Sequence, residues 1–223
     1  MWNGKNKAFT MSFDDGVVQD RRAVALFDSY GLKATFNLNS GLLGTEGKIS
    51  AAEVRTLYKN HEVAVHTLSH PNLTYLSDDD VAYQSEEDRI LLSKLCGYEV
   101  KGMAYPCGGV NNDDRVAAVL REKTGIKYSR TIMSTYSFAL PQNPLRLNPT
   151  VYYVEIDELF ELSEKFIDSD AREPQLFYVW GHTFETENGA GQSWELLEKF
   201  CKTISHRSDI FYGTNYDVLK DLL

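Results

Sequence analysis

The sequence predicts an α/β fold, a barrel of about seven strands forming one domain over residues 1–223. Three observations carry that reading. Strand-like runs alternate with amphipathic helical ones, as in a largely parallel sheet covered by helices. No linker, internal repeat or low-complexity tract breaks the alternation. At 43% hydrophobic residues, this length suits one core or two small ones.

Composition removes several classes of function. The formal net charge is -9 and no basic cluster interrupts the chain, which argues against a nucleic-acid binder and favours neutral or cationic ligands. No apolar run approaches bilayer length, and Met1-Trp2-Asn3-Gly4 lacks the basic-then-apolar layout of a signal peptide. A cytoplasmic chain without a membrane partner is therefore expected. Cys96, Cys107 and Cys201 are odd in number, far apart and never in a C-x-x-C arrangement, unlike a disulfide framework or a thiolate zinc site. Cys96 and Cys201 read as helix-packing residues. Oligomeric state is left open.

Taken in order, residues 8–13 form a strand of aromatic and β-compatible residues, ended by Gly16 where a turn is cheap. Residues 20–30 follow as a helix with Ala23, Val24, Leu26 and Phe27 on its apolar face and Gly31 as its stop. Residues 34–38 are the second strand. Ser50 then caps a helix through Ala51, Val54, Leu57 and Tyr58, with Glu53 completing a capping box. Residues 62–66 make strand three. Residues 77–95 open with a serine and three aspartates, suited to a helix N-terminus, keep an apolar face through Val81, Ile90, Leu91 and Leu95, and stop at Gly97. Strand four spans 100–105, a helix 113–122 and strand five 127–132. Residues 134–150, with Pro141, Pro144 and Pro149, form a long loop of the kind that is often functional, and its Tyr136, Phe138 and Arg146 are expected to set substrate selectivity. A helix over 156–167, strands over 176–180 and 210–212, a helix over 193–204 and a short final helix complete the chain.

Barrel enzymes assemble their sites at strand ends, and four such ends carry chemistry. At the first, Asp14 and Asp15 close the strand in TMSFDDG. Neighbouring side chains on a strand point to opposite sides, so one carboxylate can bind a metal while the other faces substrate or water. Alternatively one aspartate caps the next helix and its neighbour is solvated. At the second, His66 and His70 stand four apart in HTLSH, where two rings can converge from a helical turn or a tight loop. Either histidine alone fits a core or turn position. Together with the aspartate pair they point to a catalytic metal site that leaves positions open for water and substrate. Thr67 stands where H-E-x-x-H proteases carry a glutamate base, so the base must come from elsewhere, and Asp14 would serve.

With the third and fourth strand ends, YPCG at Tyr105–Gly108 and WGH at Trp180–His182, the motifs SFDDG, HTLSH, YPCG and WGH resemble, in this order, those of the polysaccharide deacetylase family, carbohydrate esterase family four. The resemblance implies a distorted (β/α) barrel and metal-dependent removal of acetyl groups from N-acetylated amino sugars or, in some members, from acetylated xylan. It casts Asp14 as the base, Asp15, His66 and His70 as metal ligands, the Cys107 N–H as an oxyanion donor and His182 as the general acid beside an apolar wall at Trp180. Zinc is the expected metal, with cobalt, nickel or manganese as alternatives. Tyr105 is a candidate sugar contact. Two departures stand out, since Ala104 occupies the place of the family's usual arginine, which tethers the base, and Cys107 that of an aromatic. Arg130 on strand five is the candidate replacement cation near Asp14. Glu185 is the candidate partner of His182, for which the family commonly has an aspartate. A short acetylated oligomer or monosaccharide suits such a chain better than a cell-wall polymer. Two rival readings are a metal-free hydrolase with Cys107 as thiolate nucleophile served by His182, and a catalytically inactive barrel that still binds sugars.

Overall fold

The computed structural model describes residues 1–223. Strand β1, Lys7–Asp14, is buried along its whole length and organises the sheet. Residues Phe9, Met11 and Phe13 enter the main apolar core. Alternate residues enter a polar network instead: Thr10 donates to Asn215 Oδ1 at 2.9 Å, and Ser12 Oγ and Asp14 Oδ1 accept from Asn37 Nδ2 at 2.8 and 2.7 Å. With both faces covered, the strand reads as a nearly continuous run, as expected for a buried parallel sheet.

All pairings between the strands are parallel. One edge of β1 carries β7, Gln175–Gly181, over Lys7 to Phe13. The other is shared by β8, Ile210–Tyr212, beside Lys7 to Phe9, and β2, Ala34–Leu38, beside Met11 to Asp14. From β2 the sheet continues through β3, Glu62–Val65, β4, Gly102–Ala104, and β5, Tyr128–Arg130. Strand β6, Val151–Tyr152, closes the far side against β7. The result is a curled (β/α) half-barrel in which all the strands run the same way, so their carboxyl ends share one rim.

The helices are α1, Asp20–Ser29; α2, Val54–Leu57; α3, Asp78–Cys96; α4, Asp114–Lys123; α5, Ile156–Asp168; α6, Trp194–Ile204; and α7, Asn215–Leu219. Side-chain oxygens of Ser77, Asp113 and Ser193 cap α3, α4 and α6. Cys96 and Cys201 are buried on α3 and α6, where burial pushes their thiols up to about 11 and about 12. No helix is long and apolar enough to cross a membrane.

The sheet holds the seven expected strands together with two-residue β6, which is too short to show a period. Three expectations are corrected. Helix α2 is a single turn: the Glu53 carboxylate accepts from Ser50 N and Oγ at 3.0 and 2.7 Å, yet residues 51–53 form turns ahead of it. The buried side of α3 runs through Val81, Ser85, Asp88, Leu92 and Cys96, while Ile90, Leu91 and Leu95 are only partly covered. In the long loop, Phe138 packs on Phe166 and Phe177, and Arg146 binds Asn112 and Asp114, so both hold structure and neither lines the strand-end cavity.

Candidate active site

A cavity of about 420 Å³ opens at the carboxyl ends of the strands and is lined by Asp14, Asp15, His66, His70, Tyr105, Cys107, Trp180 and His182, together with Gly108, Ile132 and Tyr152. It gathers the residues of all four strand ends. Arg130 lies directly behind it. A larger cavity, about 550 Å³, sits among Lys33, His61, Glu62 and Lys101 at the opposite ends of the strands, where barrels place stabilising residues.

Asp14 is the last residue of β1 and keeps the inward direction of Ser12. Asp15 does not alternate to the other side. Its φ of +83° breaks the strand geometry, and both carboxylates line the same cavity. His66 continues β3, and its Nδ1 lies 2.9 Å from the Ala104 carbonyl oxygen. That bond requires a proton on Nδ1 and leaves the Nε2 lone pair free to coordinate. Burial pushes His66 down to about 4, against the pull of Asp14 and Asp15, so the ring is held neutral. His70 arrives through a tight loop, not a helical turn: Thr67 and His70 have φ of +67° and +64°, and His70 N donates to Thr67 Oγ1 at 3.1 Å.

The loop is held from outside the cavity by residues that carried no motif. Asn39 Nδ2 donates to the carbonyls of His66 and Thr67 at 2.5 and 2.9 Å. Gly41 N donates to Leu68 O at 3.0 Å, and a side chain at Gly41 would meet that oxygen at 2.5 Å. Asp88 accepts from His66 N at 3.2 Å and Ser40 N at 2.6 Å, while burial raises its carboxyl to about 7. The four-and-three spacing of 81, 85, 88, 92 and 96 is the signal that could have found Asp88.

Asp15, His66 and His70 offer ligand atoms that all lie within 4.8 Å of one another. Nε2 of His66 and of His70 stand 3.8 and 3.5 Å from Asp15 Oδ1. Two imidazole nitrogens and one carboxylate oxygen fit a divalent transition-metal ion with open coordination positions. Lys48 donates to the Asp15 carbonyl at 2.8 Å and fixes the turn that carries this candidate ligand.

Asp14 has both oxygens engaged, Oδ1 by Asn37 and Oδ2 by Arg130 Nη2. Strand register explains the second contact, because Arg130 is the β5 partner of Ala104 on β4. The cation expected at position 104 thus enters from the neighbouring strand, over the small side chain of Ala104. Burial opposes charge on Asp14, but Arg130, His66 and His182 outweigh it and hold the carboxyl below its ordinary value. Arg130 is itself fully buried, and its guanidinium carbon lies 4.4 Å from the Trp180 ring centre.

Opposite Asp14, His182 Nδ1 lies 3.2 Å from Glu185 Oε1, and the His182 backbone N–H donates to Glu185 Oε2 at 2.9 Å. Tyr152 OH donates to the same carboxylate, and its ring stacks on Trp180 at 4.2 Å. Burial works against charge on His182, but the Glu185 hydrogen bond and the fields of Asp14 and Glu185 prevail and raise the imidazole above its ordinary value. Its Nε2 makes no hydrogen bond within the protein. Tyr152 escaped sequence reasoning because β6 gives no pattern.

Cys107 has φ of +70°, and its N–H has no hydrogen-bond partner in the protein. Its Sγ is 3.8 Å from His70 Nδ1, and burial, with the field of Asp15, raises the thiol above its ordinary value. A thiolate there lacks both a low pKa and a contact with His182, which leaves the thiolate-nucleophile reading without support. Tyr105 is almost wholly buried and spends its hydroxyl on Leu145 O at 2.7 Å, so only its ring borders the cavity.

Fold and site together define a (β/α) barrel domain with a candidate metal centre at the carboxyl ends of its strands. The chain belongs to the polysaccharide deacetylase family, whose model matches residues 3–128, a span that includes Asp14, Asp15, His66, His70 and Cys107 and stops before Arg130 and His182. No curated protein matches it. Among solved structures it is similar to the Streptococcus pyogenes deacetylase PplD in complex with acetate, at 22% identity over 61% of each chain and a TM-score of 0.56. It is also similar to a family 4 acetyl xylan esterase from Clostridium thermocellum in complex with a cobalt ion, at 16% identity over 96% of this chain and 91% of that one, TM-score 0.63. A third likeness is to a CE4 family pseudoenzyme from Bacillus anthracis, at 17% identity over 96% and 66% of the two chains, TM-score 0.61. At these identities the likeness is one of fold, and the chain spans less than two thirds of the streptococcal protein.

Proposed function

We propose that residues 1–223 act as one catalytic domain, a metal-dependent hydrolase that removes acetyl groups from N-acetylated amino sugars in oligo- or polysaccharides. The observation that carries this reading is the convergence on one cavity of a candidate ligand set, a carboxylate paired with a buried arginine and a histidine paired with a carboxylate. Held by Asp15, His66 and His70, a divalent cation, zinc first among the alternatives, supplies Lewis acidity toward a carbonyl and acidifies water.

The chain's own groups do the rest. Asp14, kept ionised by Arg130, takes the proton of the attacking water. The unpartnered Cys107 N–H donates to the acetyl oxygen as it gains charge. His182, held at Nδ1 by Glu185, gives a proton from Nε2 to the departing nitrogen, without which an amide reverts instead of cleaving. Trp180 and Tyr152 wall the acetyl group from water.

The test is acetate release from N-acetylglucosamine oligomers and from acetylated xylan, before and after chelation and zinc restoration. Metal-dependent release from the oligomers supports the amidase, and release from xylan alone moves the assignment to an ester hydrolase. With metal bound and no release from either, the inactive sugar-binding barrel takes its place.

A further inference from the structure

Asp20 opens α1 just past the turn that carries Asp15, and the proposed reaction makes no use of it. It is fully buried and does not line the cavity. Burial raises its carboxyl to about 7, against the pull of two hydroxyl donors. Those donors come from separate segments: Tyr58, at the end of α2, donates to Oδ2 at 2.7 Å, and Thr183 donates from Oγ1 to Oδ1 at 2.5 Å. A buried carboxyl is costly unless its hydrogen bonds are made, and here both oxygens are engaged.

Thr183 follows His182 and begins a single turn, Thr183–Thr186, which His182 caps. Within that turn the histidine–carboxylate pair is self-contained, because Glu185 accepts from the His182 backbone N–H and faces Nδ1 of the ring. The pairing governs the charge on the ring but not where the turn sits in the fold. On the β6 side, Tyr152 OH donates to Glu185 and Tyr153 OH to the His182 carbonyl. On the side of β1 and α1, which carries Asp14, the turn is held by the buried bond from Thr183 to Asp20 and by an exposed one from Gln19 Nε2 to Glu187 at 2.8 Å. Thr183 is β-branched, so a bond at its Oγ1 fixes χ1 and with it the backbone one peptide bond from His182.

We propose that Asp20, through Thr183, is a positioning residue that docks the His182 turn against the β1 side of the barrel, holding Nε2 at the departing nitrogen without altering the pairing with Glu185. This rests on the reading under Proposed function, in which His182 is the general acid. Asp20 itself touches neither substrate nor the reacting atoms.

The experiment compares Thr183→Val, Asp20→Ala, Asp20→Asn and Tyr58→Phe with the wild type on N-acetylglucosamine oligomers and on 4-nitrophenyl acetate, and follows the His182 imidazole of the zinc-loaded protein by proton–nitrogen NMR. Thr183→Val removes only the hydroxyl and should lower kcat for the oligomers by up to about 10²-fold, the scale of a misplaced catalytic group. KM and the ester rate should stay within about twofold, because only the step that needs the proton donor is affected. The alkaline limb of the pH profile should not move, since His182 and Glu185 travel together. Asp20→Ala should do the same, and Thr183→Val decides the question even if Asp20→Ala fails to fold. Asp20→Asn, which can accept from one hydroxyl and donate to the other, should restore kcat. Tyr58→Phe removes the other bond to Asp20 and should lower Tm without lowering kcat. The His182 signals should move in Thr183→Val, with an unchanged titration midpoint, and stay in place in Tyr58→Phe. A folded Thr183→Val protein with wild-type kcat and unmoved His182 signals overturns the docking role, and an alkaline limb that shifts overturns it in favour of control over the histidine's charge. If the wild type releases no acetate, the catalytic reading fails, and the NMR comparison alone decides the docking: displaced His182 signals support it and unmoved ones overturn it.

Discussion

At the scale of single residues, the proposed chemistry divides between two carboxylate-anchored pairs, Asp14 with Arg130 and His182 with Glu185. If His182 is the acid, His182→Ala should slow amide hydrolysis by about 10²–10⁴-fold, cost an activated ester far less and leave metal content unchanged. Equal losses on both substrates would argue against that role. The pH profile follows from the two shifts. Asp14 is held below its ordinary 3.8, so the base is lost only as pH falls through that lowered value. His182 is raised above 6.5, so the acid survives past that pH and is lost as pH rises through its raised value. Glu185→Gln removes the negative charge whose field and charge-assisted hydrogen bond raise His182, and the alkaline limb should move to lower pH while the acid limb stays. A profile unmoved on the alkaline side would separate that limb from His182.

At the scale of elements, the strands and most helices were legible because β1, β2, α1 and α6 carry clear periods and stops. The candidate site was legible where its residues coincide with strand ends, which one cavity gathers. Less visible was how the loops are held, since Asn39, Asp88 and Tyr152 act through backbone carbonyls, two backbone N–H groups and one carboxylate, which need no motif. Also invisible was the left-handed backbone at Asp15, Thr67, His70 and Cys107, none of them glycine. Such conformations persist only where neighbours over-determine them, and here Asn39 is one such neighbour. Asn39→Ala leaves the carbonyls of His66 and Thr67 without their donor in a buried setting, at an expected cost of about 1–3 kcal/mol. Because those carbonyls sit on the loop of His66 and His70, zinc affinity measured by competition with a chromogenic chelator should fall as well. Lost stability with unchanged zinc affinity would make Asn39 a fold residue only.

At the scale of the whole molecule, the candidate metal centre joins the end of β1 to the loop after β3, two segments otherwise linked through β2. An ion bound there favours the folded state over the unfolded one, by about 2.7 kcal/mol when free metal is a hundred times Kd. For a chain of this size each kcal/mol moves Tm by about 2–4 °C, so zinc should raise Tm by roughly 5–10 °C and chelation should reverse the gain. The variants assign the effect to residues without any assay of turnover. His66→Ala and Asp15→Asn should abolish the zinc-dependent part of Tm. Asp14→Asn should retain it while activity is lost, because its carboxylate is committed to Arg130 and Asn37. The absolute Tm of Asp14→Asn should also fall, since the change leaves Arg130 buried without its counter-charge, and breaking such a pair costs about 3–5 kcal/mol. The zinc increment, measured against each variant's own metal-free protein, therefore separates a ligand from a base. An Asp14→Asn protein whose Tm no longer responds to zinc would exchange the roles of the two aspartates.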